Sequence, residues 1–117
     1  MLSGIHSSLS ALSAFAKKQE SIADNTANVN TDGFKKTRVT FKADAAGAVQ
    51  PRVSTIDTPG PLTYEQTATG YELVERSNVE VSEEIPEAML NSRSYQANLK
   101  MVRIADDMLG NLLDIKS

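Results

Sequence analysis

His6 is the only imidazole among the 117 residues, so acid–base or nucleophilic chemistry at neutral pH would have to recruit it. Serines and aspartates that could complete a Ser-His-Asp triad are plentiful, but no acidic residue precedes Glu20, so none stands near His6 in the sequence. The chain has no cysteine, which excludes disulfides and thiolate metal sites. The sequence therefore predicts a protein that is not an enzyme, with no catalytic residues and no cofactor.

Three carboxylates, Glu83, Glu84 and Glu87, could share a proton or bind a cation. A solvated helix start accounts for them better, because carboxylates are favourable in the positively polarised first turn of a helix. A metal site without cysteine and with one histidine would need an all-oxygen shell, and the calcium-loop pattern D-x-[DN]-x-[DN]-G does not occur. We therefore expect no metal site.

A short basic run, Lys35-Lys36-Thr37-Arg38, could contact phosphates. Nucleic-acid surfaces combine such charges with aromatic side chains, and no aromatic residue interleaves this run. The net charge of the whole chain is −3. We therefore expect neither nucleic acid nor a small-molecule substrate as a partner.

The N-terminal segment combines an apolar stripe with a polar face of serine, whereas membrane-surface helices carry Lys or Arg there. No run of about 18 apolar residues occurs that could span a membrane. Ala14-Phe15-Ala16 resembles a signal cleavage site, but serines interrupt the preceding apolar run and no Lys or Arg stands near Met1. The expectation is no stable membrane insertion and no cleaved signal peptide.

Asparagines cluster in the stretch NTANVNTDGF, which places Asn25, Asn28 and Asn30 within six positions. An asparagine favours caps and turns, so Asn28 or Asn30 could simply end a helix. Capping does not require all three. An amide offers donors and an acceptor without charge, so a second interpretation places these side chains in a seam between subunits, where they would fix the register.

Two long segments have the 3-4 spacing of apolar residues that is typical of amphipathic helices. The spacing predicts a helix over about residues 3–28, with a seam of Leu2, Ile5, Leu9, Leu12, Ala16, Gln19 and Ala23. Apart from His6, no side chain up to Ala16 can carry a charge, which favours burial against other subunits over burial in the chain's own small core. A second helix is predicted over about 83–115, with a seam of Ile85, Met89, Ser92, Tyr95, Leu99, Val102, Asp106, Leu109 and Leu113.

Between the helices the period changes to the alternation of strands, after a turn at Thr31-Asp32-Gly33 in which glycine supplies a positive φ. The strand candidates lie at 38–42, 49–56, 62–64 and 71–75. The predicted fold is mainly α: two long terminal amphipathic helices that pair as an antiparallel coiled coil, with a small β-leaning insert between them. Leu9, Leu12 and Ala16 are expected to face Leu99, Val102 and Leu109. The predicted segments are 1–34, 35–80 and 81–117.

Two motifs identify a family resemblance. Residues 23–35 fit the pattern A-x-N-x-A-N-x-x-T-x-G-[FY]-K at every fixed position, and this resembles the N-terminal signature of bacterial flagellar axial proteins, the rod, hook and hook-associated subunits. Residues 77–84 and 92–98 resemble the matching C-terminal signature of the flagellar basal-body rod proteins. The short insert, with the passage from Gly70-Tyr71 to Asn78-Val79, resembles the proximal rod protein or a short paralogue of it.

The resemblance implies a structural subunit that self-assembles through its terminal helices into the axial tube that transmits torque. Its implied partners are itself, other rod or axial proteins and the flagellar export apparatus, which carries subunits to the basal body without a cleaved signal peptide. The expected assembly interface takes in the helical seams and both signatures: Leu2, Ile5, Leu9, Leu12, Ala16, Ala23, Asn25, Asn28, Asn30, Gly33, Phe34, Tyr95, Gln96, Asn98, Leu99, Val102, Leu109 and Leu113. The alternative is a soluble helical adaptor or binding module that forms a closed oligomer with a partner.

Overall fold

The computed structural model describes residues 2–116, in which two long helices flank two β-hairpins. Helix α1 spans Leu2–Ala27 and helix α2 spans Val81–Lys116. The predicted helices agree with these bounds within two residues, and the mainly α architecture with a β insert is confirmed. The molecule is elongated, with principal extents of 81 × 25 × 18 Å.

The first hairpin consists of β1 (Thr37–Ala43) and β2 (Val49–Thr55), which pair antiparallel with Val39 opposite Val53. Gly47 in the connecting turn has φ of +84°, which glycine adopts without steric penalty. This hairpin packs against α1, where the Phe15 and Phe41 rings meet edge to face with their centroids 5.3 Å apart.

The second hairpin consists of β3 (Leu62–Thr67) and β4 (Gly70–Glu75) and closes with a two-residue turn, so that Thr67 lies opposite Gly70. Within residues 2–116 it packs on neither helix and pairs with neither strand of the first hairpin. It is held instead by the loop after α1, because the Gly33 N–H donates to the Glu75 carbonyl at 2.9 Å.

The two helices contact each other through amide side chains that bond to backbone. Asn91 of α2 donates to the Phe15 carbonyl of α1 at 2.9 Å, and Asn98 donates to the Ser8 carbonyl at 2.8 Å. The two helices therefore run antiparallel, and the two hydrogen bonds are seven residues apart on each helix. Asn91 and Asn98 are not members of the apolar seam that the sequence predicted for α2.

The predicted antiparallel coiled-coil pairing of the two apolar seams is not confirmed. Leu9 is 49% exposed and Leu99 is 41% exposed, so neither is buried in the contact between the helices. The periodicity identified the apolar stripe of each helix, but it did not identify Asn91 and Asn98, whose amides reach carbonyls of α1. The division into segments 1–34, 35–80 and 81–117 stays a prediction.

The apolar core of the described residues is thin. Its buried side chains are Leu12, Ala14, Ile22, Val39 and Val79. Buried polar residues accompany them in similar number, namely Ser21, Asn25, Ser77, Asn78, Glu84 and Asn91. Directional hydrogen bonds, rather than a large apolar core, thus hold the segments in place around the start of β1.

Candidate functional site

The two sequence signatures meet at one buried cluster, the signature junction, formed by Asn25, Lys36, Thr37, Asn78 and Glu84. Asn25 lies near the end of α1 and is fully buried. Its Oδ1 accepts the Thr37 N–H at 2.9 Å, and its Nδ2 donates to the Thr37 carbonyl at 2.9 Å. One side-chain amide therefore satisfies both backbone groups of the first residue of β1, as a neighbouring strand would.

Glu84 joins α2 to this junction. Its carboxylate is fully buried, and Oε2 accepts from Asn25 Nδ2 at 3.3 Å while Oε1 accepts from Arg38 Nη1 at 2.9 Å. A buried carboxylate is tolerated only when a charge and hydrogen bonds compensate it, and both are present. The expectation that Glu84 belongs to a solvated helix start is therefore wrong.

Glu83 stands beside it at the surface and binds two cations of the basic run. Its Oε2 lies 2.9 Å from Lys36 Nζ and 2.7 Å from Arg38 Nη2. Lys36, and then Arg38, hold the pKa of the Glu83 carboxyl below its ordinary value. In the same way Lys18 of α1 lies 2.8 Å from Glu87 and lowers the pKa of that carboxyl. The basic and acidic runs thus tie β1 and α1 to α2.

Asn78 is a second buried amide that the sequence interpretation did not single out. Its Oδ1 accepts the Lys36 N–H at 2.6 Å, and its Nδ2 donates to the carbonyls of Ile56 and Thr58 at 2.7 and 2.9 Å. Its own N–H donates to the Phe34 carbonyl at 3.2 Å. Its position inside the C-terminal signature was the available signal, but its partners lie 20 to 42 residues away.

The other two asparagines of the N-terminal signature lie outside the junction. Asn28 Nδ2 donates to the Asp24 carbonyl at 2.8 Å, and its Oδ1 accepts from the Thr31 hydroxyl at 3.0 Å, so Asn28 caps the end of α1. Asn30 is exposed. The Asn25 amide makes its hydrogen bonds within the chain, and its place in an assembly interface stays a prediction. The hydrogen bonds of Asn28 agree with the plain capping interpretation. An assembly role of Asn30 stays a prediction.

The turn after α1 anchors the second hairpin through ion pairs. Gly33 has the predicted positive φ, at +70°. Lys35 pairs with Glu75, whose Oε1 also accepts the Gly60 N–H at 3.2 Å, and these two contacts lower the pKa of the Glu75 carboxyl, Lys35 contributing most. Arg76 binds Asp32 at 2.6 Å, which raises the pKa of the guanidinium.

An open groove runs beside the contact between the helices, and we call it the interhelical groove. It has a volume of about 730 Å³. Helix α1 contributes Phe15, Ala16, Gln19, Glu20 and Ala23, and helix α2 contributes Asn91, Ser92, Tyr95, Gln96 and Leu99. Five residues of the predicted assembly interface therefore come together here: Ala16, Ala23, Tyr95, Gln96 and Leu99.

The rest of the predicted interface is dispersed. Leu2 and Leu113 are 73% and 67% exposed, and Gly33 is also exposed. The half-buried members are Ile5, Phe34, Asn98, Val102 and Leu109. Leu12 is buried in the chain's own core, and its place in an assembly interface stays a prediction.

Helix α2 also has an exposed apolar stripe that the sequence interpretation missed. Its members are 50% to 83% exposed: Leu90, Met101, Ile104, Met108, Leu112 and Ile115. Most of them follow one another at steps of three and four, so the signal was present in the sequence. It was passed over because the neighbouring seam from Ile85 to Leu113 has the same spacing.

His6 is exposed on α1. No group of three or more His, Asp or Glu side chains within residues 2–116 could hold a metal ion. Neither α1 nor α2 is long and apolar enough to cross a membrane.

Two family models match the chain at the two signatures. The model described as "Flagella basal body rod protein" matches residues 5–35, which contain most of α1 and the turn after it. The model described as "Flagellar basal body rod FlgEFG protein C-terminal" matches residues 71–115, which contain all but one residue of β4 and of α2. Of the signature junction, Asn25 lies in the first match, and Asn78 and Glu84 lie in the second. Lys36 and Thr37 directly follow the first match.

The curated relatives that match the chain are also named flagellar basal-body rod proteins. The flagellar basal-body rod protein FlgC of Salmonella typhimurium (strain LT2) is 33% identical over an alignment of 117 residues that covers 86% of each chain. The flagellar basal-body rod protein FlgG of Bacillus subtilis (strain 168) is 52% identical over 42 residues, which are 36% of this chain. The chain spans only 16% of that FlgG. The chain therefore belongs to the flagellar basal-body rod protein family, a family of structural rod components, and is FlgC-like over most of its length.

Proposed function

We propose that this protein is a subunit of the basal-body rod that self-assembles through its terminal helices, a neighbouring subunit's helix occupying the interhelical groove. The observation that carries the proposal is the open groove itself, which gathers seam residues of both helices at one uncovered surface. In most domains of this size, apolar helical seams of this kind are covered by other elements of the same chain. Here the chain has no further helix among its described residues to cover them.

The lining of the groove has the shape that a third helix needs. Ala16 and Ala23 stand seven residues apart on α1, and their small side chains permit close approach of another backbone. Tyr95 and Leu99 on α2 supply apolar area and are 38% and 41% exposed. A helix laid in this groove would complete a coiled-coil packing of three helices, which the α1–α2 contact alone does not form.

The partners of this subunit follow from the same proposal. Other copies of the chain and other rod or axial proteins are its neighbours in the axial tube, and the tube transmits torque as a whole. Delivery through the flagellar export apparatus, without a cleaved leader, completes the proposal. These points are supported by membership of the rod family and by the exposed helical surfaces.

A charge in the groove tests the proposal. Leu99→Asp places a carboxylate among the lining residues, where burial under a neighbouring helix would desolvate it, so self-association should weaken strongly. Ala97→Asp is the matched control, because it introduces the same charge on the same helix about 200° around the axis from Leu99. Both substitutions are at exposed positions, so both variants should keep the helical content of the parent.

Sedimentation velocity over a concentration series distinguishes the outcomes. The proposal expects open-ended growth of the parent and of Ala97→Asp, and monomeric Leu99→Asp. A closed oligomer of fixed size at all concentrations supports the alternative of a soluble helical adaptor. Unchanged growth of Leu99→Asp removes the groove from the assembly interface.

A further inference from the structure

Two adjacent backbone N–H groups at the start of β1 are held by amides from the two different signatures. The Lys36 N–H donates to Asn78 Oδ1 at 2.6 Å, and the Thr37 N–H donates to Asn25 Oδ1 at 2.9 Å. Asn25 is fully buried and Asn78 is 9% exposed, so water does not replace either bond readily. Neighbouring residues of one strand thus depend on segments that are more than 50 residues apart in sequence.

The Nδ2 atom of each amide donates hydrogen bonds to a further segment of the chain. Asn78 Nδ2 bonds the carbonyls of Ile56 and Thr58, just after β2. Asn25 Nδ2 bonds the Thr37 carbonyl and the Glu84 carboxylate of α2. Loss of Asn78 would remove the amide partner of the Lys36 N–H and of the Ile56 carbonyl, both in half-buried residues, which is more costly than the loss of an exposed bond.

We propose that Asn25 and Asn78 act as a two-sided clamp that docks the first hairpin on the helices only when both signatures are in place. The clamp makes these asparagines positioning residues, since they act through Lys36 and Thr37 and not through direct contact with a neighbouring subunit. It couples the pairing of α1 with α2 to the placement of β1 and β2. This inference stands apart from the proposed assembly, because it concerns contacts inside one chain.

The alternative to a clamp is that contacts from α1 alone dock the first hairpin. The Ser21 and Thr37 hydroxyls lie 2.6 Å apart, and Ser10 Oγ accepts the Val49 N–H at 2.9 Å. Contacts of this kind come from α1 alone. If they were sufficient to dock the hairpin, loss of Asn78 would free only the amide that it binds directly.

Amide hydrogen exchange followed by NMR tests the clamp in the full chain. In Asn78→Ala, exchange should accelerate about tenfold or more at Lys36 and also at Thr37, whose own acceptor Asn25 is unchanged. The Ile22 amide in α1 serves as the reference for global opening. Asn28→Ala is the matched control, because that asparagine only caps α1, and it should leave the exchange at Lys36 and Thr37 unchanged relative to Ile22.

A second variant covers the case in which Asn78→Ala does not fold. Asn78→Asp keeps an acceptor for the Lys36 N–H but removes the donors to Ile56 and Thr58, so a clamp predicts faster exchange at both Lys36 and Thr37. Acceleration confined to Lys36 in either variant overturns the proposal. Equal acceleration of Lys36, Thr37 and Ile22 also overturns it, because that pattern is a general loss of stability.

Discussion

Gly60 offers the sharpest test of the described packing, because the backbone itself occupies the space that a side chain would need. Gly60 is buried in the linker between the two hairpins. A Cβ added there would lie 2.0 Å from the Arg76 carbonyl oxygen and 2.9 Å from the Ser77 carbonyl carbon. Real Cβ atoms essentially never approach closer than 3.0 Å, so Gly60→Ala forces the linker and the 76–77 segment apart by about 1 Å.

The size of the effect follows from what this displacement disturbs. Overpacking costs about 1–3 kcal/mol, and each hydrogen bond lost adds about 0.5–1.5 kcal/mol. Two bonds span the displaced segments: the Gly60 N–H to Glu75 Oε1 at 3.2 Å and the Arg76 N–H to the Pro61 carbonyl at 2.8 Å. We therefore expect Gly60→Ala to lower the free energy of unfolding by roughly 2–6 kcal/mol, out of a total of about 5–15 kcal/mol for an ordinary domain.

Urea unfolding followed by circular dichroism measures this difference. Gly110→Ala is the control, because an added Cβ at that position in α2 meets no atom within 4 Å. Alanine is the better helix former, so Gly110→Ala should raise the free energy of unfolding by about 0.5–1 kcal/mol. If Gly60→Ala unfolded at the same urea concentration as the parent, the close packing of the linker against Arg76 and Ser77 would be refuted.

Three further predictions concern charge, capping and the exposed seam. Cationic partners lower the pKa of the Glu75 and Glu83 carboxyls below 4.5, so the stabilisation from these ion pairs is complete above about pH 4.5 and is lost as the pH falls through the lowered values. The urea midpoint should therefore decrease from about pH 5 to about pH 3, and an unchanged midpoint would contradict this. Asn28→Ala should lower the free energy of unfolding by about 0.5–1 kcal/mol through its capping bonds, and a larger effect on self-association than on thermal stability would instead show an intersubunit role. Leu9→Asp should change the free energy of unfolding by less than about 0.5 kcal/mol and reduce self-association, whereas an unfolded variant would place Leu9 in the chain's own core.

The secondary structure was readable from the sequence because its signals are local and long. The 3-4 spacing persists over more than twenty residues in each helix, and the strands alternate between turn residues. Gly33 was predicted to adopt a positive φ from the turn composition alone, and it does. The arrangement of the helical faces was not readable, since periodicity defines a stripe on a helix but not the element that covers it.

The signature junction lay beyond sequence reasoning for the same reason. Asn25 was singled out by its neighbours in sequence, but its partner Glu84 is 59 residues away. Asn91, which joins the helices, is 76 residues from Phe15. An asparagine has the same local preferences whether it caps a helix, binds a strand or joins two helices, so composition cannot choose among these roles.

The signature asparagines and the exposed seams are two consequences of one arrangement. A chain that buries its apolar residues in its own core has few left for its neighbours, and this chain buries only a few large aliphatic side chains among its described residues. Buried amides hold the helices and the first hairpin together with directional bonds that occupy little apolar area. Seam residues such as Leu9, Tyr95 and Leu99 thereby stay at the surface in ordered positions, each 38% to 49% exposed. An ordered apolar groove binds a helix at a smaller entropic cost than a disordered one, so in the proposed assembly the polar bonds inside one subunit would favour apolar contacts with the next.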